Sequence, residues 1–401
     1  MPFLMEGISS VVYNKAMKYE MLKKCSVCDV CGGCQYQGMP YEEQLKLKEE
    51  KVRKLLGKFC KVNEIIGCDD PYYYRNKVQI SFGKDYKGRI LAGNYVTSTH
   101  TIVPVSDCQI ADREANKIFN TVRKLLISFR LSVFDENSMQ GLMRHVLVRC
   151  SADHEEIMVV LVTGSFNFPR KNDFVKELLK RHPNITTVVQ NINNRHTSMV
   201  LGDRDIVLYG KGYIVDELCG YSFRLSPQSF YQVNHTQTEK MYKYAIDCLG
   251  LTGKETVLDA YCGIGTIGII MSEMAKEVIS VEINKSAIRD AVKNAKMNEI
   301  SNVSFYCDDA GKFMQKIASE KRRIDVALMD PPRAGADDKF LKSLVRMDPR
   351  RIVYISCNPV TQKDNLKFLC NNGYKVDVIQ PVDLFAFTQH VECIALLTKT
   401  K

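Results

Sequence analysis

Apolar and polar positions are organised in two ways along this chain, and the change comes near Pro227. Between about residues 72 and 225, short β-type runs are divided by glycine or polar turns: 78–82, 89–95, 145–150, 157–163, 186–191 and 205–209. Two helical stretches, 112–129 and 170–181, interrupt them. This pattern predicts an α+β region with a largely antiparallel sheet. Ahead of it, 41–59 reads as a charged amphipathic helix with Leu45, Val52, Leu55, Leu56 and Phe59 facing inward. Beyond Pro227, helices at 236–249, 266–274 and 285–297 alternate with apolar strands at 257–259, 278–282, 303–307, 326–330, 352–356 and 393–398. Alternation of that kind predicts a doubly wound, Rossmann-like α/β sheet. The expected division is a region at 1–225 and a second domain at 226–401, with the 41–59 helix packed on the second.

Strand ends then become the places to look for chemistry, because open α/β sheets bind ligands at the carboxyl ends of their strands. The sequence Asp259-x3-Gly263-x-Gly265 follows one strand and opens a helix. Glycines there allow a tight turn and close approach of backbone to a ligand. Glu282 ends the next strand, where a carboxylate can accept from both ribose hydroxyls. Asp308 and Asp309 end the third, within reach of an adenine amino group. Gly268 completes a dinucleotide-type Gly-x-Gly-x2-Gly, so NAD is the rival ligand. The aspartate before the loop and the later Asp330-Pro331-Pro332-Arg333 favour S-adenosylmethionine. The two prolines stiffen the turn that presents Asp330. Cys357, in Ser356-Cys357-Asn358-Pro359, lies just past the next apolar strand. Glu392, in His390-Val391-Glu392, precedes the last one.

Composition narrows the setting. The chain has 401 residues, of which 45% are hydrophobic and 25% charged, as in ordinary globular proteins. A formal net charge of +10 favours a polyanionic partner, with nucleic acid first among them. No apolar run approaches the roughly 20 residues of a membrane span, and 1–24 carries no signal-peptide pattern. A cytoplasmic protein with reduced thiols and no membrane association is expected. The 15 cysteines then mean buried hydrophobes, metal ligands or nucleophiles. Cys25, Cys28, Cys31 and Cys34 follow at intervals of three, which is metal-ligand spacing close to that of ferredoxins. Zinc also suits four thiolates.

Four ordered phrases carry a resemblance. Asp330-Pro-Pro-Arg333, Ser356-Cys357-Asn358-Pro359, His390-Val391-Glu392 and Pro227-x2-Phe230-x-Gln232-Val233-Asn234 look like motifs of the RNA 5-methyluridine methyltransferases, the RumA/TrmA family. The likeness runs from about residue 25 to the end and implies an S-adenosylmethionine-dependent enzyme acting on carbon 5 of uracil. Carbon 5 becomes nucleophilic only after a thiolate adds to carbon 6. The resemblance gives that addition to Cys357 and removal of the carbon-5 proton to Glu392. It assigns cofactor contacts to Gln232, Tyr261, Glu282, Asp309 and Asp330. Thr266 stands where many relatives have asparagine. Phe230 is expected near the target base. Cysteines 25, 31, 34 and 108 are the implied ligands of a [4Fe-4S] cluster, with zinc as runner-up metal and Cys28 as a competing ligand.

The cluster-bearing branch makes ribosomal RNA, of the 23S kind, the first expected substrate and transfer RNA the second. Only 24 residues precede Cys25, too few for the N-terminal RNA-binding barrel of larger relatives. RNA affinity is therefore expected from Tyr74, Arg75, Asn76 and Lys77, from Arg144, Arg149, Arg195 and Arg204, and from stacking on Tyr72, Tyr73 and Tyr74. A flipped-out uracil is expected, since its carbon 5 and carbon 6 are inaccessible in a stacked helix. No obligate protein partner is evident. The alternatives are an RNA cytosine-5 methyltransferase, whose usual catalytic phrase is Pro-Cys, and a non-catalytic metal-stabilised RNA-binding protein.

Overall fold

A computed structural model of the chain describes residues 20, 22–96, 99, 101–320 and 322–400; most of the opening stretch, 1–19 and residue 21, lies outside the described residues. A short helix α1 (Cys28–Cys31) and a longer one, α2 (Tyr41–Leu56), come first. Seven strands follow: β1 (Lys77–Lys84), β2 (Ile90–Tyr95), β3 (Ile102–Pro104), β4 (Met143–Cys150), β5 (Ile157–Thr163), β6 (Ile185–Ile192) and β7 (Arg204–Tyr209). They form one sheet in the order β3-β2-β1-β4-β5-β6-β7. All neighbours are antiparallel except β5 and β6, which the crossover helix α4 (Lys171–Arg181) connects in parallel. Helix α3 (Arg113–Ser128) buries Ile118, Phe119, Val122, Leu125 and Leu126 in the core beneath β4 and β5. Asp112 caps its start by accepting from Glu114 and Ala115 N–H.

A hairpin of β8 (Ile214–Leu218) and β9 (Tyr221–Leu225) leads to the second sheet. That sheet contains β10 (Thr256–Ala260), β11 (Glu277–Glu282), β12 (Val303–Cys307), β13 (Val326–Met329), β14 (Arg351–Ser356), β15 (Tyr374–Val382) and β16 (Glu392–Lys399). Its helices are α5 (His235–Leu249), α6 (Thr266–Ile270), α7 (Lys285–Met297), α8 (Ala310–Ser319), α9 (Asp338–Met347) and α10 (Pro359–Asn371). The strand order is β12-β11-β10-β13-β14-β16-β15. The first five strands are parallel, and β16 runs antiparallel to both β14 and β15. Val257 and Leu258 are sequence neighbours, yet they enter separate apolar clusters on opposite faces of the sheet. This is why the strands read as continuous apolar runs.

The doubly wound α/β fold is as expected. Helices α8, α9 and α10, the β8–β9 hairpin and strands β3 and β15 were not foreseen. Strand β15 mixes Lys375 and Asp377 with apolar positions and carries a bulge between Val376 and Val378, which breaks its alternation. The helix expected over 266–274 stops at Ile270 and continues as a single 3-10 turn at Ser272–Met274.

Helix α2 departs from its expected inward face in a way that matters later. Its buried stripe is Tyr41, Gln44, Lys48, Val52 and Leu56, so two polar residues point inward. Lys48 Nζ lies 2.6 Å from Asp383 Oδ1 and donates to the Phe385 carbonyl, both side chains of the ion pair being fully buried. Tyr41 OH donates to the other Asp383 oxygen, and Gln44 Oε1 accepts from Phe387 N–H. Hydrophobicity alone misreads this face because its partner is the polar backbone of the 383–390 loop.

Candidate active site

After β12 the chain returns past β10 to build β13 and β14, so the order reverses between β10 and β13. A crevice must open at the carboxyl ends of these two strands. A cavity of about 910 Å³ lies there, and its lining includes Gln232, Tyr261, Glu282, Asp330, Cys357 and Glu392. Asp309, Phe230 and Arg333 line it as well. Of the candidate catalytic and cofactor residues named from the sequence, all but Asp308 therefore meet at one cavity.

The Cys357–Glu392 pairing is a consequence of strand register. Ser356 of β14 faces Cys393 of β16 on the last rung of their antiparallel ladder. The next positions outward are Cys357, leaving β14, and Glu392, beginning β16, so the two side chains emerge at the same sheet end. The residues flanking Cys357 hold its turn. Asn358 N–H donates to Ser356 Oγ, while the Asn358 side chain caps α10 at Val360 N–H and donates to the Arg333 carbonyl. The Ser-Cys-Asn phrase thus ties the Asp-Pro-Pro-Arg loop to the cysteine turn.

Burial shapes the electrostatics. Glu392 is 4% exposed. Burial first, and then the neighbouring Asp330 carboxylate, push its pKa up to about 8, with Arg333 opposing. The Cys357 thiol is half-buried and pushed up to about 11 by burial, then by Glu392 and Asp330, again opposed by Arg333. Asp330 itself rises to about 7 through burial and Asp259. The Asp330 and Glu392 carboxyls thus exchange protons near neutral pH, whereas the Cys357 thiol keeps its proton there, and a cation entering the site favours ionisation of all three.

Around the loop after β10, Gly265 has φ +80°. At Gly268 an added Cβ would lie 2.7 Å from Asp259 Oδ2 and 2.8 Å from Ser280 Oγ, so only glycine lets α6 pack this close to the sheet. Glu282 accepts from Gly263 N–H at 3.2 Å and from Asn284 N–H at 2.8 Å, which aims its carboxylate along the loop. Asp309 is partly committed as the cap of α8, accepting from Lys312 N–H. Asp308 accepts from Asp309 N–H and does not line the cavity. Gln232 is held from the other sheet: Asn76 N–H donates to the Val233 carbonyl and Asn76 Nδ2 to that of Gln232. Sequence reasoning missed Tyr242 and Asp290. Tyr242 lines the cavity; Asp290 accepts from Arg224, Ser226 and Ser229 and fixes the loop leading to Phe230. Both sit on helices without a motif, which left no signal to find them.

Of the cysteines, Cys25, Cys31, Cys34 and Cys108 are free and half-buried. Cys108, Cys31 and Cys25 all raise the pKa of Cys34, after burial, and Cys25 also raises that of Cys28. Cys28 also faces Asp29 and Lys24. Among the described residues no three of these sulfurs lie mutually within 4.8 Å; the one trio of that kind is Asp112, Cys150 and His154. Tetrahedral zinc at about 2.3 Å from each thiolate requires sulfurs only about 3.8 Å apart.

The arginine-rich surface expected of the central region is only partly a surface. Arg149 is 1% exposed and donates to the Ser229 carbonyl, and Arg144 is 2% exposed, paired with Glu136 and with the carbonyls of Asn193, Arg195 and Thr197. Both are internal braces, a correction to their reading as RNA contacts. Tyr74 likewise faces inward, donating to the Ala386 carbonyl. Arg195 and Arg204 are exposed, Arg204 lying 4.9 Å from the Phe166 ring. Phe230, 68% exposed, stands open at the cavity. No helix among the described residues is long and apolar enough to cross a membrane.

Known proteins were compared with this geometry. The family model for tRNA (uracil-5-)-methyltransferase matches residues 206–400. An uncharacterized RNA methyltransferase of Staphylococcus aureus (strain MRSA252) is 42% identical over 388 residues, covering 96% of this chain and 85% of that protein. An uncharacterized RNA methyltransferase of Halalkalibacterium halodurans is 40% identical over 378 residues, 93% of this chain and 82% of its own. Among solved structures, Pyrococcus abyssi tRNA (uracil-54, C5)-methyltransferase in complex with S-adenosyl-L-homocysteine superposes with a TM-score of 0.77 at 26% identity, covering 91% of this chain and 86% of that one. The chain belongs to the tRNA (uracil-5-)-methyltransferase family and is an S-adenosylmethionine-dependent RNA methyltransferase.

Proposed function

We propose that this enzyme methylates carbon 5 of a uracil in ribosomal RNA, of the 23S kind, through a covalent adduct on Cys357 with Glu392 as the base. The observation that carries the mechanism is the meeting of Cys357 and Glu392 just beyond the last β14–β16 rung, in the cavity that also holds Glu282 and Asp330. The residues present suit S-adenosylmethionine. Glu282 offers a carboxylate at a strand end, and a Cβ placed on Gly263 would meet nothing within 4 Å, leaving room for a ligand. Gln232, Tyr261, Glu282, Asp309 and Asp330 would hold the cofactor, which supplies an electrophilic methyl group.

Cys357, once ionised, adds to carbon 6; the S–C6 bond forms and the C5–C6 pair moves toward an enolate. Carbon 5 then takes the methyl group. Glu392 accepts the carbon-5 proton, the freed pair restores C5=C6, and the S–C6 bond breaks to return the Cys357 thiolate. A pKa of about 8 suits a base that gains and loses a proton in each turnover.

Cys25, Cys31, Cys34 and Cys108 are the ligands we propose for a [4Fe-4S] cluster, their spacing being wider than one zinc ion needs. Asn94 Nδ2 already approaches Cys31 Sγ at 3.4 Å, as a hydrogen bond to a cluster thiolate requires. Fifteen free cysteines accord with a reducing, cytoplasmic setting. The same reading divides the chain into a cluster- and RNA-binding region at 1–225 and a catalytic domain at 226–401. Transfer RNA is the second reading, favoured by the likeness to the Pyrococcus abyssi enzyme.

The test is tritium release from RNA labelled at carbon 5 of uracil, using anaerobically purified protein with unmodified 23S rRNA and with unmodified tRNA. Cofactor-dependent release from the ribosomal RNA is expected. Release from tRNA alone transfers the assignment to the second substrate, and release from neither, with S-adenosylmethionine bound, sinks the uracil mechanism.

A further inference from the structure

We propose that Gln44 is a positioning residue for the reaction: through the backbone of Phe387 it holds the 383–391 loop in the course that brings Glu392 to bear on carbon 5. The proposal rests on Glu392 acting as the base of the adduct mechanism above. Such a base must take one proton from one atom, and a misplacement of about 1 Å can cost about 100-fold. The sheet fixes only part of that geometry. Glu392 is the first residue of β16 and pairs with Val382, the last of β15. Between these two residues the chain is loop, and its Phe385 and His390 line the cavity together with Glu392.

The loop's backbone is satisfied largely by residues far away in sequence. The carbonyl of Phe385 accepts from Lys48 Nζ, and that of Ala386 from Tyr74 OH. The carbonyl of Phe387 accepts from Tyr36 N–H at 3.0 Å, and that of Gln389 from Lys51 Nζ at 3.1 Å. Phe387 N–H donates to Gln44 Oε1 at 2.9 Å, and Gln389 N–H to Gln35 Oε1 at 3.2 Å. All of these partners lie between residues 35 and 74, and three of them are on α2. The loop that leads to the base is thus moulded on the N-terminal region of the chain.

Phe387 is where the mould acts. Its φ is +64°, a left-handed conformation that a bulky residue keeps only when its surroundings impose it. Gln44 holds its N–H and Tyr36 its carbonyl, while its ring centre lies 4.8 Å from that of Tyr72. Gln44 is fully buried, and its Nε2 donates to the Met39 carbonyl at 2.9 Å, which leaves Oε1 aimed at Phe387. An apolar side chain would serve helix packing at this position equally well. A buried amide is favourable only where its hydrogen bonds are made, and here one of them fixes a strained residue of the loop.

Without the Gln44 acceptor, Phe387 is free to relax out of the left-handed region. Phe385, two positions before it, and His390, three after, shift with it, and so does the approach to Glu392. The turn presenting Cys357 is held separately, by Ser356 Oγ and by the Asn358 bond to the Arg333 carbonyl. Thiolate addition and methyl transfer should therefore survive, and proton removal should suffer. In that last step the proton on carbon 5 passes to Glu392, the freed pair restores C5=C6, and the S–C6 bond breaks. Slowing it leaves methylated RNA attached to Cys357.

The experiment compares Gln44→Met, Gln44→Glu and Lys51→Met with wild type and with Glu392→Gln. The probe is unmodified 23S rRNA or tRNA, whichever the wild type turns over, labelled with tritium at carbon 5 of uracil. Methyl transfer, tritium release and denaturation-resistant RNA–protein complex are followed in a single turnover, beside iron content, S-adenosylmethionine affinity and denaturant unfolding. Gln44→Met keeps the volume of the side chain and loses the acceptor. For it we expect methyl transfer within about threefold of wild type, tritium release slower by about 10–100-fold, and accumulation of the methylated complex. Gln44→Glu keeps an acceptor for Phe387 N–H and should recover most of the release rate. Lys51→Met removes a partly exposed contact to the same loop, so it tests the mould even if Gln44→Met folds poorly; release should slow by about threefold with methyl transfer unchanged. Equal slowing of methyl transfer and release, or slowing that tracks lost iron or lost folded protein, overturns the proposal in favour of a purely structural role. Complex trapped by Glu392→Gln but by none of the other variants also overturns it, and leaves the Cys357–Glu392 mechanism standing. Failure of Glu392→Gln itself to trap complex overturns the base assignment, and this proposal with it.

Discussion

The two seven-stranded sheets use charged residues in opposite ways. In the second sheet, the charged and reactive groups that count sit at strand ends, where β10, β11, β13 and β14 stop and β16 begins. They converge on one cavity because parallel strands bring all their carboxyl ends to the same edge. In the first sheet, Arg144 and Arg149 lie within β4 and are buried as braces for loops and for the Ser229 turn. Among the described residues ahead of β8, only Arg75, just ahead of β1, lines the cavity. Arg144 and Arg149, inside a strand, support structure, whereas Arg75, between elements, lines the cavity.

Substitutions should divide along the same line. The largest effect is expected for Cys357→Ala, which should lose all measurable methyl transfer and all adduct with 5-fluorouridine RNA while binding S-adenosylmethionine normally; isotope transfer and gel-shift assays would check this. Glu392→Gln comes next. It should lower turnover by about 10²–10⁴-fold but still form the adduct and take one methyl group, so that a denaturation-resistant RNA–protein complex accumulates. The base acts when ionised and its pKa is raised to about 8, so wild-type turnover should climb as pH rises from about 7 to 9. A flat profile over that window would count against Glu392.

Lys48→Met tests the link between the regions. It strands Asp383 as a buried, uncompensated charge, and a loss of about 3–5 kcal/mol in denaturant unfolding is expected. The smallest effects should separate Arg149 from Arg204. Arg149→Met should leave RNA affinity within about twofold and act on stability alone, because Arg149 is enclosed. Arg204→Ala should lower the salt slope of RNA binding by about one if it meets a phosphate. An Arg149 variant that binds RNA poorly, or an Arg204 variant unchanged in slope, would blur the distinction drawn between strand interiors and exposed positions.

Legibility in the sequence followed the same division. Cys357, Glu392, Asp330 and Glu282 could be named because each closes or opens an apolar strand within a compact phrase. Tyr242 and Asp290 lacked any such signal: each reaches the cavity from an element whose sequence says only helix. Arg144 and Arg149 were misread because a positive charge looks the same in sequence whether it meets solvent or backbone carbonyls. The inward face of α2 was misread for the converse reason, since Lys48 and Gln44 are inward-facing only once Asp383 and Phe387 are there to receive them.

By itself, then, the sequence determined the alternation of strand and helix after Pro227, the glycine turn after β10 and the residue types able to form a thiol adduct. These are local matters of periodicity, backbone freedom and side-chain chemistry. Tertiary structure decided which of those residues meet. The antiparallel return of β16 sets Glu392 beside Cys357, although 35 positions separate them (392 − 357), and the packing of the two sheets brings Arg75 to the same cavity. Register and burial are properties of paired and packed elements; no single segment contains them.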